Sequence, residues 1–394
     1  MPPLDAATDR LLCLSRTFNV PLRYILGPLQ EHVGVRVLLW GDVSPDDWES
    51  PSEVNRDSAR QYAREVRVGR RRTEREYPFT VTLVSPRMLW DLLRAPERVV
   101  LARELNVATL YAVLSKVRSG RRVVSLVEGD FSLLGTTGKA GFKVALRRLT
   151  ASFVDVFVSN SQGATRYLTD VLGVPRRRIV EGWWLAGLPQ DREITAPAPA
   201  PRHAGERPVF LAAGQFIPRK GFDLLLDGIA RYHADVGPCR LQLVGDGPQR
   251  AELMARAQRL DIEGDVEFLG TVPHAQMSKL FQSCDVFVFP TLFDLVGRVA
   301  VEALSAGTPV AASRLSGAAD VLVRDGVNGV LMDPRDPASI ADALRRGADP
   351  ATNARLREGA RATGADVTPE AAARRIAHAV ALADRTPPAL PWTR

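Results

Sequence analysis

Cysteine is scarce in this sequence: Cys13, Cys239 and Cys284 are the only three among 394 residues, widely scattered and without a C-x-x-C pair. That pattern excludes a disulfide framework and a thiolate zinc site, and it points to free thiols in a reducing compartment. Histidine is nearly as rare. The five, His32, His203, His233, His274 and His378, show no H-E-x-x-H or comparable metal spacing. No run approaches the roughly 18 apolar residues that a spanning helix needs, and the first residues lack a basic segment followed by an apolar core of signal-peptide length. Together these absences read as a cytoplasmic protein. Lysine is also uncommon, at five of 52 basic residues, so each lysine carries information that an arginine here does not.

What is present is apolar material enough for more than one core: 45% of the residues are hydrophobic, which at roughly 100 to 200 residues per domain suits two domains. The net charge of +7 favours an anionic partner. Charge does not choose among a phosphate, a nucleic acid and an acidic membrane surface, but no nucleic-acid reading motif accompanies it, so nucleic acid is not expected as a partner.

The stretch 194–208, ITAPAPAPRHAGERP, is the one low-complexity segment. Its alternating prolines sustain neither a helix nor a central strand, which makes it a semi-rigid connector. The expected organisation is a domain over 1–193, this linker over 194–208, a second domain over 209–365, and a final helix and tail over 366–394 that packs back on the first domain. In the second half, apolar runs alternate with helix-length segments: VFLAAG (209–214), RLQLVG (240–245), VEFLG (266–270), VFVFP (286–290), PVAAS (309–313) and GVLM (329–332). Near-continuous apolar strands separated by helices are the mark of a parallel sheet covered on both faces, a doubly wound Rossmann-like α/β domain. The first half fits the same plan, with strands expected at RLLCLS (10–15), VRVLLW (35–40), FTVTLVS (79–85), RVVSLVE (122–128) and VDVFVSN (154–160). Ligands of such sheets sit beyond the carboxyl ends of the strands.

Chemistry concentrates after VFVFP, where the chain continues D-L-V-G-R-V-A-V-E-A-L-S-A-G-T-P-V and sets Asp294 and Glu302 eight positions apart. A helix beginning near Val296, Gly297 and Arg298 would present unpaired N–H groups able to hold a phosphate oxygen, and Gly297 would remove the side chain that blocks close approach. Glu302 lies within the apolar run VAVEALSA, where an ionised carboxylate is costly without hydrogen-bond donors such as the hydroxyls of a ribose. A second element, GQFIPRKGFD (214–223), follows the domain's first strand. It contains Gly214, Gln215, Arg219 and Lys220.

These residues resemble the retaining family 4 glycosyltransferases of the GT-B fold (glycosyl transferases group 1), whose signatures are E-x7-E followed by A-x-G-x-P-V, and G-R-x4-K-G. The resemblance is specific over about 209–346 and looser before it. It implies two Rossmann-like domains facing across a cleft and transfer of a sugar from a UDP- or GDP-linked donor to a hydroxyl of a glycan, lipid-linked or small-molecule acceptor. Retention at the anomeric carbon and independence of any metal or other cofactor come with it. It further implies that Glu302 holds the donor ribose and Asp294 touches sugar hydroxyls. The amides at Val296, Gly297 and Arg298 meet the sugar or diphosphate, Lys220 stabilises the departing diphosphate, and backbone atoms near Val272 read the base. Two departures stand out. Gln215 occupies the arginine position, with Arg219 as the candidate substitute, and Asp294 replaces a glutamate one methylene longer.

In the first half, Glu128, with Gly129 and Asp130, ends a strand where relatives place a histidine; its carboxylate would orient an acceptor hydroxyl or cap the strand. Lys139, Lys143 and Arg147 recur every four residues with Phe142, Leu146 and Leu149 interleaved, an amphipathic basic pattern that fits a solvated face, an anionic membrane or a lipid-phosphate acceptor. Alternative readings are a non-catalytic nucleotide-sugar-binding subunit and an epimerase or phosphorylase on the same scaffold.

Overall fold

Alternation of short apolar runs with amphipathic segments produces the same layered plan twice. The computed structural model describes residues 10–15, 20–39, 63–67, 80–128, 140–183, 206–294 and 297–385. The chain forms two compact units, residues 1–186 together with 369–394, and residues 187–368. Most of the expected linker, 194–205, lies outside the described residues.

The first unit runs β1 (Arg10–Ser15), α1 (Val20–Gln30), β2 (Gly34–Leu39), β3 (Ala63–Arg67), β4 (Thr80–Val84), α2 (Pro86–Arg94), β5 (Val99–Arg103), α3 (Val107–Ser119), β6 (Arg122–Val127), α4 (Ala140–Phe153), β7 (Val156–Ser159), α5 (Gln162–Arg166) and β8 (Ile179–Glu181). Six of these strands form one parallel sheet in the order β2-β1-β5-β6-β7-β8. Leu12, Val100 and Val123 are register neighbours across three strands and are fully buried. Burial of a side chain of this kind contributes roughly 1.5–3 kcal/mol. Helix α3 starts where the Asn106 side chain accepts the N–H groups of Ala108 and Thr109 and ends at Gly120 in the left-handed conformation. Lys116 of α3 reaches back to Asp155, at 2.6 Å, in an ion pair with both side chains buried. Asp155 also accepts the N–H of Val123, so one carboxylate ties α3, β6 and the start of β7 together.

One strand expectation changes here. The FTVTLVS segment does form β4, but it pairs antiparallel with β3 in a separate ribbon and takes no place in the parallel sheet. Beside β1 stands β5, VVLAR, a run too short and too closely flanked by Glu97, Arg98, Arg103 and Glu104 to stand out by apolar pattern. Tertiary pairing decides such cases, because strand propensity depends on context.

The second unit runs β9 (Val209–Ala213), a 3₁₀ turn (Pro218–Lys220), α6 (Phe222–Asp235), β10 (Arg240–Val244), α7 (Arg250–Arg259), β11 (Val266–Gly270), α8 (His274–Ser283), β12 (Val286–Phe289), α9 (Arg298–Ser305), β13 (Val310–Ser313), α10 (Gly317–Val321), β14 (Gly329–Met332), α11 (Pro337–Ala348) and α12 (Pro350–Asp366). All six strands pair in parallel, in the order β11-β10-β9-β12-β13-β14. Its core holds Phe210 edge-on to Tyr232 and Phe216 edge-on to Phe222. The last helix, α13 (Pro369–Arg385), counts with the first unit, where it packs on α1, β6 and β7 and Arg375 donates to the carbonyl of Trp183 at 2.9 Å.

Cys13, Cys239 and Cys284 are buried and free, and burial pushes each thiol up to about 12, so none is a thiolate nucleophile at neutral pH.

Candidate functional site

Strand order reverses in the second unit between β9 and β12: the chain after β9 moves outward to β10 and β11, and the chain after β12 moves the other way to β13 and β14. Loops leaving neighbouring strands in opposite directions open a crevice at their carboxyl ends, the place where open α/β sheets bind ligands. The loop 214–221 leaves β9 and the loop beginning at Pro290 leaves β12, so the two segments singled out in the sequence meet at this point.

Backbone bonds lock them together. The carbonyl of Arg219 accepts the N–H of Leu292 at 2.8 Å and the hydroxyl of Thr291 at 2.9 Å. Thr291 is buried, and its hydroxyl also lies 3.0 Å from the Phe293 carbonyl. Behind this junction Gly245 supports the β9 loop: its φ is +128°, and a Cβ there would stand 1.9 Å from the carbonyl oxygen of Gly214. The glycines of LVGDG therefore serve backbone-to-backbone packing.

At the junction Lys220 Nζ donates to Asp294 Oδ2 at 2.7 Å, and Arg219 Nη1 lies 3.3 Å from the same oxygen and 3.1 Å from the Phe293 carbonyl. The other carboxylate oxygen, Oδ1, accepts the N–H of Gly297 at 3.1 Å. Burial opposes ionisation of Asp294, but Lys220, Arg219 and the Gly297 N–H outweigh it and hold the carboxyl below its ordinary range. The Lys220 ammonium also sits 5.4 Å from the centroid of the Phe289 ring. Two cations and a helix-start amide thus converge on one anion.

Gly297 caps α9 in the left-handed conformation, φ +77°, and offers no side-chain cap to the helix's first N–H groups. A Cβ there would come within 2.6 Å of Phe289 Cε1. Within α9, Glu302 is buried and paired with Arg298, Nε to Oε1 3.1 Å. Arg298 supplies one of the donors that this carboxylate requires.

The structure therefore brings Lys220, Arg219, Asp294 and Gly297 together, with Arg298 and Glu302 on the helix that Gly297 starts. Gly214 and the exposed Gln215 lie on the β9 loop. Val272 follows β11, at the outer end of the same carboxyl edge and two strands from β9. Val296 lies outside the described residues, as do Gly129, Asp130 and Lys139. Among the described residues no cluster of three or more His, Cys, Asp or Glu has metal-holding geometry.

Glu128 follows β6 in the first unit. It is paired with Arg103, and its N–H donates to Glu104 Oε1 at 2.8 Å. Neither Arg103 nor Glu104 was recognised from sequence, because both belong to the end of the strand that its pattern concealed. The helix α4 exists, and three apolar side chains stand out on it: Phe142 is 77% exposed, Leu149 56% and Leu146 40%, with Arg148 exposed beside them. Arg147 turns inward to the Tyr167 hydroxyl at 3.2 Å.

Comparison with known proteins bears on the same region. Residues 196–363 match the family described as glycosyl transferases group 1. The D-inositol 3-phosphate glycosyltransferase of Geodermatophilus obscurus is 34% identical over 207 residues, which is 48% of this chain and 45% of that protein. The lipopolysaccharide core biosynthesis glycosyltransferase LpsE of Rhizobium meliloti is 30% identical over 195 residues, 49% of this chain and 53% of that one. This chain spans about half the length of the curated relatives it matches. The crystal structure of Anabaena HepE in complex with UDP superposes with a TM-score of 0.68 at 18% identity, covering 95% of this chain and 99% of that one. The two-domain Rossmann-like architecture of GT-B proteins is thus the fold of the chain.

Proposed function

Residues 196–363 belong to the glycosyl transferases group 1 family, and from that premise we propose that the protein is a glycosyltransferase that uses a nucleotide-diphosphate sugar as donor. The observation that carries the reading is the convergence of Lys220, Arg219 and the Gly297 N–H at the β9–β12 switch point, on a site now filled by the Asp294 carboxylate. When the glycosidic bond breaks, negative charge develops on the leaving diphosphate, and fixed cations and amides there act where the transition state needs them. The diphosphate takes over contacts that Asp294 now holds, Asp294 turns to sugar hydroxyls, and Glu302 accepts from the ribose. The departing phosphate oxygen takes the proton of the attacking hydroxyl on the same face of the sugar, with retention of configuration. Lys220 and Arg219 supply the charge that a divalent cation would otherwise provide, so chelation with EDTA is expected to leave the rate unchanged. UDP in the related structure favours a uridine donor over a guanosine one.

A second observation extends the reading to the membrane surface. Phe142, Leu146 and Leu149 form one exposed stripe on α4, and the guanidinium of Arg178 bonds the Ser152 carbonyl at 3.2 Å, setting the run Arg176–Arg178 at the carboxyl end of that helix. An apolar stripe beside a basic cluster suits shallow contact with an anionic membrane and a lipid-linked acceptor.

The donor assignment is tested by thermal shift with UDP-glucose, UDP-galactose, UDP-N-acetylglucosamine and GDP-mannose, since a ligand that binds only the folded state raises its unfolding temperature. At least one should do so, and Lys220→Ala and Glu302→Ala should each abolish the shift while keeping the far-UV spectrum. No shift with any donor, or an unchanged shift in both variants, overturns the reading.

A further inference from the structure

The first unit has a switch point of its own. Its strand order reverses between β1 and β5, so the carboxyl ends of these strands open a crevice just as β9 and β12 do in the second unit. Glu104 is the first residue after β5, and Glu128 is the first after the neighbouring β6.

Glu104 is held in an unusual way. Its φ of +58° lies in the left-handed region, which a glutamate rarely adopts. Three bonds keep it there: its N–H donates to the Leu126 carbonyl at 2.7 Å, and its own carbonyl accepts from the hydroxyls of Thr109 and Ser125. Backbone strain of this kind persists only where the surroundings over-determine it, and it gathers at ligand sites. Here it aims the side chain. Oε1 accepts the Glu128 N–H at 2.8 Å, while Oε2 is closed off from solvent and has no hydrogen-bond partner among the described residues. A buried polar atom without a partner is unfavourable, and a ligand that pairs with it recovers that cost.

The groups around it define what that ligand can be. Burial and the neighbouring Glu128 push the Glu104 carboxyl up to about 8, against the pull of the Glu128 N–H, Arg103 and Arg147. Arg103 is occupied by Glu128 and Arg147 by the Tyr167 hydroxyl. The Cys13 thiol on β1, which also feels Arg103, stays protonated. At neutral pH Glu104 therefore carries a proton on a side chain whose second oxygen is unsatisfied. A cationic ligand would meet two guanidinium groups and no free anion, whereas a neutral hydroxyl group can pair with Oε2 directly.

We propose that Glu104 is an acceptor-binding residue of the transferase described above, donating a hydrogen bond from Oε2 to a hydroxyl of a polyol or sugar acceptor. The proposal rests on the glycosyltransferase reading. It assigns Glu104 recognition of the acceptor, next to the Arg103–Glu128 pair that fixes its position.

The test uses the full chain with UDP as donor-site probe and myo-inositol, glucose and D-inositol 3-phosphate as acceptor probes. Binding is followed by saturation-transfer NMR and thermal shift in Glu104→Gln and Glu104→Ala. Glutamine has the same shape and keeps a donor, so it should bind the probe that wild type binds with affinity within about threefold, whereas alanine should lose about tenfold or more. Wild-type probe binding should weaken as pH rises through about 8, and that dependence should vanish in Glu104→Gln. The UDP-induced shift should be the same in all three proteins. Acceptor probes that bind Glu104→Ala as tightly as wild type, or no probe binding to a wild type that does bind UDP, overturn the proposal and leave the donor reading standing. Failure of wild type to bind UDP strikes instead at the reading beneath it.

Discussion

The Lys220 ammonium donates to the carboxylate of Asp294 at 2.7 Å across 74 residues of chain, and that contact joins the loops of the two strands flanking the second unit's switch point. A positive group that binds an incoming diphosphate would be solvated or repelled by its neighbour Arg219 in an empty site. Here a protein carboxylate holds both cations in position, and under the proposed function it would release them to the donor diphosphate.

Replacing Asp294 with Asn should therefore loosen the junction and cost about 1–3 kcal/mol of stability at neutral pH, the cost of a charged hydrogen-bond partner lost from a partly closed site. The carboxyl is held below its ordinary value of 3.8, so its contribution is present above that value and disappears as pH falls below it. Urea unfolding at pH 3 and pH 6 should show a difference between wild type and Asp294→Asn at pH 6 that shrinks at pH 3. Equal differences at both values would contradict the assignment.

Gly297→Ala should reduce donor affinity and stability together. The left-handed φ of +77° strains any other residue by about 1–3 kcal/mol, and the new methyl would press on Phe289, the ring under Lys220. Calorimetric titration with the donor found by thermal shift, alongside unfolding, would check both effects; a variant as stable and as avid as wild type would refute the packing argument.

Asp155→Ala should destabilise the first unit by about 3–5 kcal/mol, because it leaves a buried ammonium without its carboxylate. The double replacement Lys116→Met with Asp155→Leu should recover much of that loss. Burial lowers the Lys116 pKa and Asp155 pulls it back up, so in the single variant the lysine is expected to lose its proton more readily.

Serine at both Phe142 and Leu149 should cut binding to phosphatidylglycerol-containing vesicles by about tenfold or more, since each apolar side chain contributes roughly 1.5–3 kcal/mol when buried. Added salt should weaken the wild-type interaction by screening the arginines. Co-sedimentation reads both, and equal binding to neutral phosphatidylcholine would remove the charge component.

These residues differ in how far the sequence alone reveals them. Lys220, Asp294, Gly297 and Glu302 were legible because loop and helix-start chemistry is local: the glycine, the cation and the carboxylates stand within short spans after strong apolar strands. The partnership of Asp294 with Lys220 was not, since it depends on β9 and β12 lying side by side, a pairing between segments far apart in the chain. Strand β5 was hidden by its charged flanks, and with it went Glu104, whose peculiarity is a backbone angle and a missing partner, neither of which has a letter in the sequence. The α4 stripe was visible as a pattern, yet which of its faces meets solvent was set by its packing on α3.

Ala372, Ile376, Ala379 and Ala383 of α13 are buried, and they complete the covering of a sheet whose strands all precede residue 187. Topologically the second unit is a guest within the first, entered and left by the same host. On the ribosome the guest, complete at Thr368, can fold while its host still lacks a wall, which reverses the usual order in which earlier domains fold first. Limited proteolysis of the chain truncated after Thr368 should find residues 206–368 protected and residues 80–183 open to cleavage, since only the first unit lacks a helix it needs.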